Sequence, residues 1–133
     1  MTWVSSISVL VVEDFAAFRQ FITTTLASMS GLQVIGEVSD GVEAVQKALD
    51  LQPDLILLDI GLPSLDGIEA ARRIRKLAPV SKIIFVTQES SVDVVQVAAD
   101  LGANGYVVKA QAGRDLVAAV EAVLSGKSFF SRT

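Results

Sequence analysis

Residues 9–14 read VLVVED and residues 55–59 read LILLD, two unbroken apolar runs that each end on carboxylates. Runs this short, rich in branched side chains and lacking polar alternation, mark strands covered on both faces, as in a parallel sheet. The closing acids pose a harder question. Glu13 and Asp14 stand side by side at the end of a buried element. Two like charges ~4 Å apart repel by about 4 kcal/mol at an effective dielectric of about 20. Such a pair calls for a compensating charge.

The strand signal recurs at 7–12, 33–38, 55–59, 82–86 and 106–108, with helical patterns between. In the first helical pattern Phe18, Ile22, Leu26 and Met29 recur at near-helical spacing and stop before Gly31. The second opens on Asp40, whose carboxylate can cap while Glu43 reaches back, and ends before Pro53. The third covers 66–77 and the fourth 91–101, ahead of Gly102. The fifth follows Gly113, carries Leu116, Val120, Val123 and Leu124, and ends at Gly126. Five βα units predict an α/β fold: a doubly wound (βα)5 three-layer sandwich around a parallel five-stranded sheet, in the common order 2-1-3-4-5. No linker or low-complexity stretch divides the chain, so 1–133 is expected to be a single domain.

Composition narrows the chemistry. Cysteine and histidine are both absent, which removes thiolate sites, disulfides, the usual zinc ligands and the usual general base. The excess of 15 acidic over 11 basic residues argues against a domain that itself grips nucleic acid. No apolar run approaches the ~20 residues of a membrane span, and no leader-like segment precedes the first strand. A soluble, cytoplasmic protein without membrane contact is the expectation.

In doubly wound sheets the binding crevice lies beyond the carboxyl ends of the strands. Glu13 and Asp14 follow the first strand, Asp59 ends the third, Thr87 ends the fourth and Lys109 ends the fifth. The second strand lies at the outer edge in this order, so these five residues are expected to converge. Three carboxylates with all-oxygen ligands suit Mg²⁺ or a similar hard divalent ion, held by Glu13 and Asp14. Thr87 offers a hydroxyl and Lys109 a mobile cation, a clamp for the oxygens of a phosphoryl group. Asp59 is then the candidate nucleophile, forming an acyl phosphate. Singly, each residue has an ordinary account: turn solvation for Glu13 and Asp14, strand-end capping for Thr87, a solvated lysine, core packing for Tyr106. Their joint placement on four strand ends carries the weight.

The chain resembles the response-regulator receiver domains of bacterial two-component signalling, whose fold is flavodoxin-like. The resemblance rests on VLVVED, PDLILLDIGLPSLDG, IIFVTQ and GANGYVVKA, with Asp59, Pro63 and Gly67 in the family's spacing. The ending, GYVVKA followed by LVAAVEAVLSGKSFFS, resembles the NarL/FixJ-type branch, whose receivers are joined to a helix-turn-helix DNA-binding domain. The resemblance implies that Asp59 accepts phosphate from a sensor histidine kinase. It further implies that Asp14, Asp59 and the Gly61 backbone carbonyl bind Mg²⁺, with Glu13 acting through water. Thr87 and Lys109 would contact the phosphoryl group, and Tyr106 would move with Thr87 as an aromatic switch. A homodimer on phosphorylation is implied too, with DNA contacted only through an output domain outside this chain. The alternative is a stand-alone single-domain receiver acting through protein–protein contacts.

Two positions depart from common family patterns: Ala110 replaces a frequent proline after the lysine, and Gln88 replaces a small residue after the threonine. A trans bond is expected at 109–110, and altered phosphorylation kinetics from the long amide. Two other functions are weaker. Haloacid-dehalogenase-like phosphatases want a second Asp two residues after the nucleophile, where Gly61 stands. A flavodoxin-like cofactor carrier would have its FMN phosphate repelled by Glu13 and Asp14, and no G-x-G-x-x-G loop is present. A signalling module, not an enzyme acting on other substrates, is the expectation.

Overall fold

A computed structural model describes residues 6–131; of the expected 1–133 domain, residues 1–5 and 132–133 lie outside the described residues. The elements are β1 (Ile7–Val12), α1 (Ala16–Ala27), β2 (Leu32–Val38), α2 (Gly41–Leu51), β3 (Leu55–Leu58), α3 (Gly67–Leu77), β4 (Lys82–Thr87), α4 (Val92–Asp100), β5 (Gly105–Val108), α5 (Ala112–Leu124) and β6 (Phe129–Phe130). All strand pairs are parallel, and the sheet order is β2-β1-β3-β4-β5-β6.

Alternate residues along the central strands face opposite layers. Leu10, Val12, Ile56, Leu58, Phe85 and Tyr106 pack against the alanine-rich faces of α2 and α3. Val9, Val11, Leu57, Ile84 and Val107 pack against α1 and α5 through Ile22, Leu26, Leu116 and Val120. Full burial of each branched side chain contributes about 1.5–3 kcal/mol. The central strands therefore present their carboxyl ends from a rigid base.

Side chains terminate the helices as their polar residues dictate. Asp40 accepts the Glu43 N–H at 2.7 Å, Asp66 the Glu69 N–H at 3.0 Å, and the Ser91 hydroxyl the Val94 N–H at 3.3 Å. Only the Asp40 half of the expected capping box forms among the described residues. Late in α3, Arg72 and Arg73 pair loosely with Glu69 at 3.7 and 3.8 Å on the solvent side. That face is a solvated one. α4 is thinly anchored: Ala98 is its buried residue, and Val92 remains 82% exposed.

Several boundaries differ from the sequence expectation. β3 stops at Leu58, leaving Asp59 just past the strand, while β4 runs one residue further and includes Thr87. α5 starts at Ala112, so Gly113 lies inside its first turn; a 3-10 turn at Lys109–Gln111 feeds the helix directly. No cis peptide bond occurs among the described residues, in line with the trans bond expected at 109–110. The larger correction is β6. The order 2-1-3-4-5 holds for the first five strands, but Phe129–Phe130 adds a sixth, parallel to Gly105 and Tyr106. Two residues are too few for a periodic signal, and the pairing rests on backbone bonds from Phe129 N to Asn104 O and Ser131 N to Tyr106 O.

Gly67 shows how tightly the β3–α3 connection closes. Its N–H donates to the Ile60 carbonyl at 2.7 Å, and a Cβ there would collide with the Asp59 carbonyl and the Ile60 Cα. Backbone on that side cannot yield as a flexible side chain would. Gly67→Ala is expected to lower unfolding stability by about 2 kcal/mol or more. Urea denaturation checks this, and a wild-type midpoint would mean that the loop can open without cost.

Candidate functional site

Four strand ends meet at one edge of the sheet, because parallel strands in register all finish there. Val12 lies between Val38 and Leu58, and two further bonds fix the residues that follow: Glu13 N to Val38 O at 3.0 Å and Asp59 N to Val12 O at 3.1 Å. Glu13 is fully buried, Asp59 nearly so, and Asp14 exposed. Carboxylate oxygens of Glu13, Asp14 and Asp59 lie within 4.8 Å of one another. These are the carboxylates that the sequence brings together.

Each buried carboxylate is held by specific donors. Glu13 Oε2 accepts the Phe15 N–H at 3.0 Å, and Asp59 Oδ1 accepts the Ile60 N–H at 2.7 Å. Lys109 Nζ stands 3.0 Å from Asp59 Oδ2 and 2.8 Å from Glu13 Oε1. The Asp59 contact is a hydrogen bond; the Glu13 contact is an off-axis charge pairing that leaves Oε1 without an aligned donor. Burial pushes the Glu13 carboxyl above its usual range, and the Asp59 charge adds to this, while Lys109 and the Phe15 N–H oppose it. Burial pulls the Lys109 ammonium down, but its close contacts with the Glu13 and Asp59 carboxylates outweigh that and hold it above the ordinary lysine value.

The remaining expected residues divide. Gly61 lines the same pocket, together with Asp14, Phe15, Asp59, Gln88 and Lys109. Thr87 does not line it: the side chain is 1% exposed, and Oγ1 accepts the Glu89 N–H at 3.3 Å. Tyr106 is fully buried, its ring tilted against Phe85 and its hydroxyl donating to the Glu89 carbonyl at 2.6 Å. Thr87 and Tyr106 thus bracket the Glu89 backbone from both sides. Glu89 is a residue that sequence reading missed, since it takes part through main-chain atoms that carry no side-chain signature.

The donor set fits a hard divalent cation. Formally, three carboxylates face one ammonium, which leaves two negative charges uncompensated, and every candidate donor is oxygen. Chemically, the pocket combines the nearly buried Asp59 carboxylate, two further carboxylates able to accept a cation, and a half-buried ammonium.

Residues 9–121 match the family of response regulator receiver domains. The response regulator protein VraR of Staphylococcus aureus is 36% identical over 125 residues, 94% of this chain, and the chain spans 60% of the length of that relative. Among solved structures, a LuxR-family two-component response regulator from Aurantimonas sp. matches with a TM-score of 0.88 at 30% identity, over 94% of this chain and 89% of that one. RcsB of Salmonella enterica, solved bound to a promoter in the presence of the phosphomimetic BeF3-, matches with a TM-score of 0.87 at 25% identity, over 94% of this chain and 62% of that one.

Tyr106 is the chain's one tyrosine, so its titration is directly visible. Burial, and then the charges of Glu89 and Asp59, push the phenol up to about 12. An unfolded tyrosine ionises near ~10, so the folded state holds this proton more tightly. The resulting stability is complete below pH ~10 and is lost as pH rises toward about 12. Phenolate absorbance of the native protein is expected to rise only near the upper value. Tyr106→Phe should abolish the signal and flatten the alkaline fall in stability. A native titration near ~10 would contradict the buried hydroxyl.

Proposed function

The chain belongs to the response regulator receiver domain family, with its similarities in the NarL/FixJ-type branch, and from that premise we propose that Asp59 is its phosphoacceptor, loaded by a sensor histidine kinase. It is a signalling domain, not an enzyme. The observation that supports the assignment of Asp59 is its place between two acidic neighbours and Lys109, at the mouth of the pocket.

In this reading Asp14, Asp59 and the Gly61 carbonyl hold Mg²⁺, with Glu13 acting through water. When bound, that ion neutralises the carboxylates and supplies positive charge to phosphoryl oxygens. The remaining work falls to the chain's own groups. An Asp59 carboxylate oxygen forms the new bond to phosphorus as the bond to the kinase imidazole nitrogen breaks. The Ile60 N–H fixes Oδ1 and so sets the rotation of the nucleophile. Lys109 shifts one of the hydrogen bonds it donates from Asp59 Oδ2 to a phosphoryl oxygen. Thr87 accepts from Glu89 in the described state, which leaves its own hydroxyl hydrogen available for the phosphoryl group.

The aromatic switch takes a specific form here. Tyr106 is already inside, so the change passes through the Glu89 backbone that it shares with Thr87. Drawing the Thr87 hydroxyl toward the phosphoryl group releases the Glu89 N–H and biases the loop before the thinly anchored α4. The readers of that face follow from the relatives' size. The chain spans 60% of VraR and 62% of promoter-bound RcsB. We therefore place 1–133 as the receiver of a longer cytoplasmic regulator, with transcription controlled through a C-terminal helix-turn-helix domain and with a homodimer formed on phosphorylation. No helix among the described residues is long and apolar enough to cross a membrane.

A small phosphodonor with Mg²⁺ is expected to label wild-type protein once, at Asp59, as a base-labile acyl phosphate. Mass spectrometry of Asp59→Asn should find the label gone; stoichiometric labelling of that variant would sink the assignment. For the metal, calorimetric titration with Mg²⁺ is expected to weaken about tenfold in Glu13→Gln and by more in Asp14→Asn. The folding stability of Asp14→Asn should equal or exceed wild type, because carboxylate repulsion is relieved. Equal affinities in all three proteins would rule out this pair as the ion's holders.

A further inference from the structure

Lys109 has a third neighbour besides its two carboxylates. Its Nζ lies 4.8 Å from the centroid of the Phe18 ring, over the face. An aromatic face carries partial negative charge and attracts an ammonium at this range, more strongly where water is excluded. Water is largely excluded here, since the Lys109 side chain is 17% exposed. The ring itself is well fixed: Phe18 packs against the core formed by β1, β3 and β4, and stands tilted to Phe21 with centroids 5.3 Å apart.

The three contacts respond differently to a divalent cation. Such an ion takes oxygen ligands, so it engages Asp59 and Glu13 and weakens their hold on Lys109. The lysine stem has four rotatable carbons and about 2 kcal/mol of rotamer entropy, so a released ammonium leaves the pocket for water. A benzene ring offers no oxygen and stays available to the ammonium. We propose that Phe18 is a positioning residue for Lys109, whose ring face retains the ammonium at the pocket once a cation has claimed the carboxylates. This rests on the reading of Lys109 as a phosphoryl contact. Phe18 acts through the lysine and touches no reacting atom.

The test separates ring charge from ring shape. Phenylalanines bearing one, two and three fluorines at position 18 keep the apolar volume while draining the face of negative charge. Phosphorylation by a small phosphodonor with Mg²⁺ is expected to slow stepwise along the series, to a total of about two- to fivefold, with the unfolding midpoint falling by no more than that same small attraction. Nuclear magnetic resonance supplies a readout that needs no turnover. The Lys109 methylene protons next to Nζ should be shifted upfield by the ring current, in metal-free protein and again after Mg²⁺ addition. A flat fluorine series, or an upfield shift that disappears when Mg²⁺ is added, overturns the role of Phe18. Lys109→Met separates the two levels: a slow Lys109→Met beside a flat series removes Phe18 alone. A Lys109→Met that phosphorylates as wild type removes the reading of Lys109, and the positioning role with it.

Discussion

The Lys109 ammonium lies 2.8 Å from Glu13 and 3.0 Å from Asp59, joining the ends of β1, β3 and β5 through one charge. Without it, two buried carboxylates would face each other across a low-dielectric edge, where an unpaired charge costs several kcal/mol. The ammonium is also movable, since its stem is flexible while the strands beneath are rigid. That combination lets the edge be stable in one charge state and remain open to another. A fixed guanidinium fork would hold the carboxylates as well, but would yield them less readily to a metal.

The same division of rigid and yielding parts appears on the β4–α4 side. Thr87 and Tyr106 are both fully enclosed, on strands whose registers are pinned by Ile84–Gly105 through Thr87–Val108. What they hold in common is a stretch of backbone at Glu89, followed by a helix with a single buried residue. A small change in hydrogen bonding at Glu89 is thus met by little opposing packing in α4. The β-branched residues of that helix, which lower intrinsic helicity, fit this mobility of role.

Much of this was legible in the chain because it depends on unbroken apolar runs and on what ends them. LILLD announces both a buried strand and a carboxylate at its mouth, and β3 ends one residue before Asp59 as a consequence. Asp40 announced its helix by capping chemistry, and the structure adds the same kind of cap at Asp66 and Ser91. Other features left no readable trace. β6 is two residues long and exists through main-chain pairing with Gly105 and Tyr106. Thr87 was expected in the crevice, yet its hydroxyl turns to Glu89, a choice of rotamer that no residue spacing encodes. Phe18 appeared in the helical repeat and packs half-buried against the core; its contact with Lys109 depends on tertiary placement.

β6 has a geometric consequence for the direction in which the polypeptide travels. Because it runs parallel to β5, the chain approaches Ser131 heading toward the carboxyl edge of the sheet. There the Ser131 hydroxyl donates to Asp115 at 2.8 Å and its N–H donates to the Tyr106 carbonyl at 2.7 Å. An antiparallel closing strand would have carried the exit to the opposite pole. Instead, Ser131 is anchored to the same strand that bears Tyr106, two residues past which Val108 leads into Lys109. A displacement of β5 would therefore carry β6 and Ser131 with it, as a rudder post turns with its blade.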